Sequence, residues 1–159
     1  MSLQYIIDGY NLLHHKLLTL NAGSVSKDPQ NALLEFIQFN ALCGSAHNKI
    51  TVIFDGYPEG GLDLRKGAIE VIFSRDKTAD ERINALLESS RDVKNIRVVS
   101  DDKQIRLFAR GIGAQSVKIE DFLQPLIKRK RKQDISSELK LSYSKQLEIT
   151  RELRKIWLK

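Results

Sequence analysis

Short apolar runs rich in Ile and Val recur along the chain, separated by longer stretches in which apolar residues fall three and four positions apart. That alternation predicts βαβ units around a mostly parallel sheet, an α/β fold. Strands are expected at 3–8 (LQYIID), 49–55 (KITVIFD), 68–74 (AIEVIFS), 96–101 (IRVVSD) and 115–119 (QSVKI). Their apolar residues are nearly continuous, the pattern of strands covered on both faces.

The intervening stretches carry their own start and stop signals. In DPQNALLEFIQFNALCG (28–44), Asp28 suits a cap, Pro29 the first helical position and Gly44 the stop. TADERINALLESS (78–90) opens with Thr78 and has Glu81 three residues on, the spacing of a capping box, with Ile83, Leu86 and Leu87 on one face. DDKQIRLFARGIG (101–113) reads as a shorter helix closed near Gly111. IEDFLQPLIKRKRK begins another, in which Pro125 is tolerated in a first turn or marks a kink. In LLHHKLL (12–18), read as helical, the adjacent His14 and His15 diverge, which argues for surface positions and against a shared metal.

After residue 127 charges dominate and apolar residues thin out. Leu139, Tyr143, Leu147, Thr150, Leu153 and Trp157 keep steps of three and four, so the tail is expected to be one amphipathic helix. The expected organisation is a domain over 1–127 and a basic helical extension over 128–159.

Composition narrows the class. A chain of 159 residues fits one domain with a short appendage, and 42% hydrophobic with 29% charged residues is an ordinary globular balance. No apolar run approaches the roughly 20 residues of a membrane span. The opening MSLQYIIDGYNLL has no basic leader or small-residue cleavage site, so a cytoplasmic location is the expectation. Cys43, the only cysteine, excludes an intrachain disulfide and suits a small buried hydrophobe. A net charge of +6 favours a polyanionic partner, since clustered Lys and Arg gain affinity by releasing counterions from phosphates.

Candidate chemistry lies at the strand ends, where open parallel sheets bind ligands. Three predicted strands finish on Asp8, Asp55 and Asp101, and Asp80 falls in the first turn of the helix after a fourth. These four acids are expected to converge, and their repulsion calls for a hard divalent cation, Mg²⁺ or Mn²⁺. Each acid also has a plainer reading: Asp8 and Asp55 as turn formers, Asp101 with Gln104 as a helix cap, Glu81 as the partner of Thr78. Asp102 and Glu81 are ranked as secondary acids. No G-x-S-x-G, H-E-x-x-H or paired cysteine and histidine suggests nucleophilic catalysis.

The segments DGYN (8–11), VIFDG (52–56), EVIFS (70–74) with TADERI (78–83), and VVSDD (98–102), in this order and spacing, resemble the YacP-like branch of the NYN domain family, PIN-like nucleases. The resemblance covers roughly residues 3–127 and is weakest in the tail. It implies a PIN-like three-layer α/β/α sandwich and a metal-dependent endoribonuclease. By motif it implies that Asp8, Asp80 and Asp101 are catalytic, that Asn11 orients the site and that Asp55 lines the same pocket.

On this reading one or two Mg²⁺ or Mn²⁺ ions sit among Asp8, Asp55, Asp80 and Asp101 and activate water against a phosphodiester of single-stranded RNA, messenger or ribosome-bound. An acidic pocket repels phosphate, so basic residues must supply binding. Arg65, Lys66, Arg75 and Lys77 fall in loops near the strand ends, and Lys128, Arg129, Lys130, Arg131 and Lys132 would extend the track. Two rivals remain. A haloacid-dehalogenase phosphatase requires a second Asp two residues after the first, where Tyr10 stands. A non-catalytic RNA-binding or ribosome-associated adaptor would keep the acids for structure. Monomer and homodimer both stay open.

Overall fold

The computed structural model describes residues 2–21, 29–58 and 65–157. In chain order these form β1 (Gln4–Asp8), α1 (Gly9–Leu13), α2 (Lys16–Asn21), α3 (Pro29–Phe39), β2 (Lys49–Phe54), β3 (Arg65–Lys66), β4 (Ile69–Phe73) and α4 (Ala79–Ser89). β5 (Ile96–Val99), α5 (Lys103–Ile112), β6 (Gln115–Val117) and α6 (Ile119–Trp157) complete the chain. The sheet runs β3-β4-β2-β1-β5-β6, parallel throughout except where β3 pairs antiparallel with β4. All five expected strands are present. The sixth, β3, is only two residues long and has no apolar run to announce it. It closes the segment GGLDLRKG, of which residues 60–64 lie outside those described.

The central strands are covered on both sides, as their continuous apolar runs require. Ile6, Ile53 and Val98 pack with Ile83 and Leu87 of α4 and with Ile105 and Ala109 of α5. Leu12 of α1 and Leu33, Leu34 and Ile37 of α3 are buried as well. The result is an α/β/α sandwich. Because β1 lies between β2 and β5, the chain travels outward on one side to β4 and then returns to the other side of β1. The strand order reverses there, which opens a crevice beyond the carboxyl ends.

Several helix boundaries differ from expectation. α3 stops at Phe39, not Gly44; the chain leaves it through a turn with Ala41 at φ 48° and Gly44 at φ 73°. The proposed cap Asp28 lies outside the described residues. α5 ends at Ile112 and is closed by Gly113 (φ 101°), while Gly111 stays inside the helix. LLHHKLL is not one helix, since the chain breaks at His14 and His15.

The chain divides into two units, Met1–Leu123 and Gln124–Lys159. α6 is continuous to Trp157, with Pro125 inside it beyond the first turn. Within the second unit Leu139, Tyr143 and Leu147 are exposed, and the side chains of Thr150, Leu153 and Trp157 lie outside those described. No helix among the described residues is long and apolar enough to cross a membrane.

Candidate active site

The crevice is an open pocket of about 710 Å³ lined by Asp8, Asn11, Asp55, Asp80 and Asp102, with Tyr10, Gly56, Thr78 and Ala79 around them. Each acid arrives by its own local rule. Asp8 ends β1 and caps α1, accepting from the Asn11 backbone N–H at 3.4 Å and the Asn11 side-chain amide at 3.1 Å. The Ser100 hydroxyl donates to the same carboxylate at 3.4 Å. Asp55 follows β2 and accepts from the Ser74 hydroxyl at 2.8 Å and from the Ala79 N–H at 3.2 Å, the exposed amide end of α4. Asp80 lies in the first turn of α4.

Electrostatics distinguishes these acids. Burial raises the proton affinity of Asp8, only 6% exposed, against the lowering effect of hydrogen bonds from Asn11 and Ser100. The Asp80 carboxyl is also raised, first by burial and then by the charges of Asp102, Asp8, Asp55 and Glu81. No hydrogen bond offsets that rise, so among the described residues Asp80 is the pocket carboxylate left without a donor.

The two neighbouring acids of VVSDD exchange places relative to expectation. Asp102, ranked as secondary, caps α5 by accepting from Gln104 and Ile105 N–H at 2.8 and 3.2 Å, and it lines the pocket. Asp101 is not among the lining residues. Its carboxylate accepts from the Ile119 N–H at the start of α6 at 3.0 Å and faces His15 Nε2 at 3.3 Å. The correction has a simple cause: α5 begins one residue later than the spacing to Gln104 suggested, and adjacent residues before a helix point in different directions. His15 is thus tied to an acid and not merely a surface residue; its Nδ1 accepts from the Leu17 N–H at 3.2 Å. Glu81 is committed to the capping box, accepting from the Thr78 N–H at 3.0 Å while its own N–H donates to Thr78 at 3.2 Å.

Ser74 and Ser100 were missed. Both are buried and each follows the last residue of a strand. Ser100 touches three members of the site, accepting from the Asn11 side chain at 3.2 Å and the Asp102 N–H at 3.1 Å besides donating to Asp8. Their sequence signal was a polar residue ending an apolar run, the same signal that singled out the acids.

Among the proposed basic residues, Arg75 and Lys77 are exposed in the turn before α4. Arg75 adopts φ 59° and donates its N–H to the Gly56 carbonyl at 2.8 Å. Arg65 and Lys66 form β3, but their side chains lie outside those described. Lys128, Arg129, Arg131 and Lys132 are exposed on α6, and the side chain of Lys130 is outside those described.

The donor set fits a hard cation. It is all carboxylate oxygen, and Asp80 is raised first by burial and then by the neighbouring carboxylates, whose charges a cation would offset. Among the described residues no three His, Cys, Asp or Glu side chains are grouped to hold an ion by themselves. Mg²⁺ needs no such cage, since it keeps several waters and takes one or two carboxylates plus substrate phosphate.

The sequence profile of the YacP-like NYN domain matches residues 5–157, a span that includes the long C-terminal helix. The crystal structure of Rae1 (YacP) from Bacillus subtilis, W164L mutant, is similar at 25% identity and TM-score 0.57, over 91% of this chain and 89% of that one. Rae1 (YacP) from the same organism without that mutation is similar in fold, at 22% identity and TM-score 0.58, over 100% of this chain and 94% of that one. Among curated proteins no significant match was found.

Proposed function

The chain belongs to the YacP-like NYN domain family, a PIN-like, nuclease-type domain, and from that premise we propose that it is a metal-dependent endoribonuclease acting on single-stranded RNA. The observation that carries the reading is the convergence of Asp8, Asp55, Asp80 and Asp102 in one pocket at the reversal of strand order. The sequence alone favoured Asp101 in this set; Asp102 takes its place here because Asp101 is spent on Ile119 and His15.

One or two of Asp8, Asp80 and Asp102 would hold Mg²⁺ or Mn²⁺ together with waters and substrate phosphate, with Asp55 beside them. Bound there, the cation would lower the pKa of a water and screen charge building on phosphorus. The chain's own residues perform the rest. Asn11 and Ser100 fix the orientation of the Asp8 carboxylate, and Ser74 with the α4 amide end fixes Asp55. Asp80 carries no donor, so it is free to accept a hydrogen bond from a water placed in line with the leaving oxygen. Arg75 and Lys77 sit in the turn that leads into α4 and supply positive charge for the RNA backbone.

The test is incubation with a mixed panel of RNA and DNA oligonucleotides, with and without Mn²⁺ or Mg²⁺, reading the products. Cleavage of RNA that needs the cation, abolished in Asp8→Asn and Asp80→Asn while RNA binding persists, supports the proposal. Intact RNA after incubation of wild type with Mn²⁺ sinks it and leaves the non-catalytic adaptor.

A further inference from the structure

The positive charge of this chain is not spread over it. Met1–Leu123 holds 15 Lys and Arg against 16 Asp and Glu, whereas Gln124–Lys159 holds 11 against 4. The unit that carries the acidic pocket is therefore slightly negative, net −1, and the C-terminal unit holds +7. A pocket of carboxylates on a negative body has little long-range attraction for a polyanion.

Within α6 the charges are sorted by face. At about 100° per residue, Asp134, Glu138 and Glu148 fall within roughly 80° of one another. Lys128, Arg129, Lys132, Lys140 and Arg154 fall within roughly 120°, centred on the opposite side. None of these five has an acid three or four residues away in either direction, so the helix cannot neutralise them internally. None is ion-paired among the described residues. Arg131 and Lys145, the bases near the acidic side, each have an acid three residues on, Asp134 and Glu148. The free cations share their side of the helix with Ile135, Leu139, Tyr143 and Leu147, which are 57%, 65%, 65% and 47% exposed.

We propose that α6 beyond Gln124 is the main RNA-holding arm of this chain, its sorted basic face gripping successive phosphates and adding to the local contacts of Arg75 and Lys77 beside the pocket. The identity of the polyanion rests on the RNA reading above. Lys128 to Arg154 span about 40 Å of helix, enough to follow many phosphates. Tyr143, exposed in the middle of the basic side, offers a ring on which an unpaired base can stack. A membrane surface is the lesser fit, because the apolar stripe of Ile135, Leu139, Tyr143 and Leu147 is narrow and is bordered along its length by Lys132, Ser136, Lys140 and Ser144.

Fluorescence anisotropy with a labelled single-stranded RNA in EDTA, where no cleavage occurs, tests this on the full chain. Replacing Lys128, Arg129, Lys132 and Lys140 together by Gln should weaken binding at least tenfold at about 0.1 M salt. The slope of log affinity against log salt should fall by about 3, at roughly 0.7 for each phosphate no longer neutralised. Glu138→Lys with Glu148→Lys should tighten binding, a change that misfolding would not produce. Binding within twofold of wild type with an unchanged slope overturns the proposal. So does loss of sedimentation with phosphatidylserine vesicles in a variant that still holds RNA normally. If wild type never cleaves but the Gln variant loses RNA, the nuclease reading falls and the arm stands.

Discussion

Gly9 stands between the buried Asp8 and the α1 turn, and replacing it by Ala sets two effects of opposite sign against each other. A Cβ built there meets Phe54 Cδ1 and Cε1 at 2.5 Å and the Ile53 carbonyl oxygen at 2.9 Å. The carbonyl is sheet backbone and cannot retreat. The Phe54 ring is fully buried and packs 5.6 Å from Tyr10 and 5.8 Å from Phe73, centroid to centroid, so it cannot swing away alone. Overpacking of this kind costs about 1–3 kcal/mol. Ala in place of Gly at a helical position returns up to about 1 kcal/mol. The net expectation for Gly9→Ala is a loss of about 1–2 kcal/mol, or roughly 2–8 °C in Tm for a chain of this size. Gly111→Ala is the control: it lies inside α5 with nothing within 4 Å of the new Cβ, so only the helix term applies and Tm should rise. Calorimetry and urea unfolding of both variants check the pair. A Gly9→Ala protein as stable as wild type would refute the packing argument, because the same substitution would then have no site-dependent sign. Since α1 must shift to relieve the contact, Asn11 moves relative to Asp8, and RNA cleavage in Gly9→Ala should fall further than the lost stability explains.

Three further outcomes follow from the site and core. Asp80→Asn removes a carboxylate that is partly buried and repelled by four neighbours, so the metal-free variant should melt higher than wild type, and Mn²⁺ should raise its Tm less than it raises that of wild type. Burial pushes the Cys43 thiol up from 9.0 to about 12, so a thiol reagent at pH 8 should leave the native protein unlabelled and react in urea; because the folded state holds that proton more tightly, stability should decline as pH rises from 9.0 towards 12, and Cys43→Ala should lose that decline. Thr78→Ala breaks the capping box of α4 and should cost about 1 kcal/mol by urea unfolding, while the same change at exposed Ser89 should cost less.

The fold was legible because each central strand is buried on both faces and therefore reads as an apolar run, and because parallel strands put their carboxyl ends together without any knowledge of side chains. Asp8, Asp55 and Asp80 could be found by that logic. The choice between Asp101 and Asp102 could not, since it turns on a helix start shifted by one residue, and periodicity does not resolve starts that finely. The pairing of His15 with Asp101 was invisible for a different reason: a break between two short helices brings it about, and the four apolar residues around the histidine pair mask that break. Ser74 and Ser100 were present in the pattern but ranked below charged residues, although a buried hydroxyl that bonds an acid and a backbone amide at once holds the geometry of the site.

Among the described residues the sheet's two outer strands are two and three residues long, β3 with Arg65 and Lys66 and β6 with Gln115 to Val117. Short, polar rims offer few free amides and carbonyls in a row, so another chain has almost no ladder to extend. Copies of this protein should therefore resist joining sheet to sheet even at high concentration, and crowding need not end in aggregation.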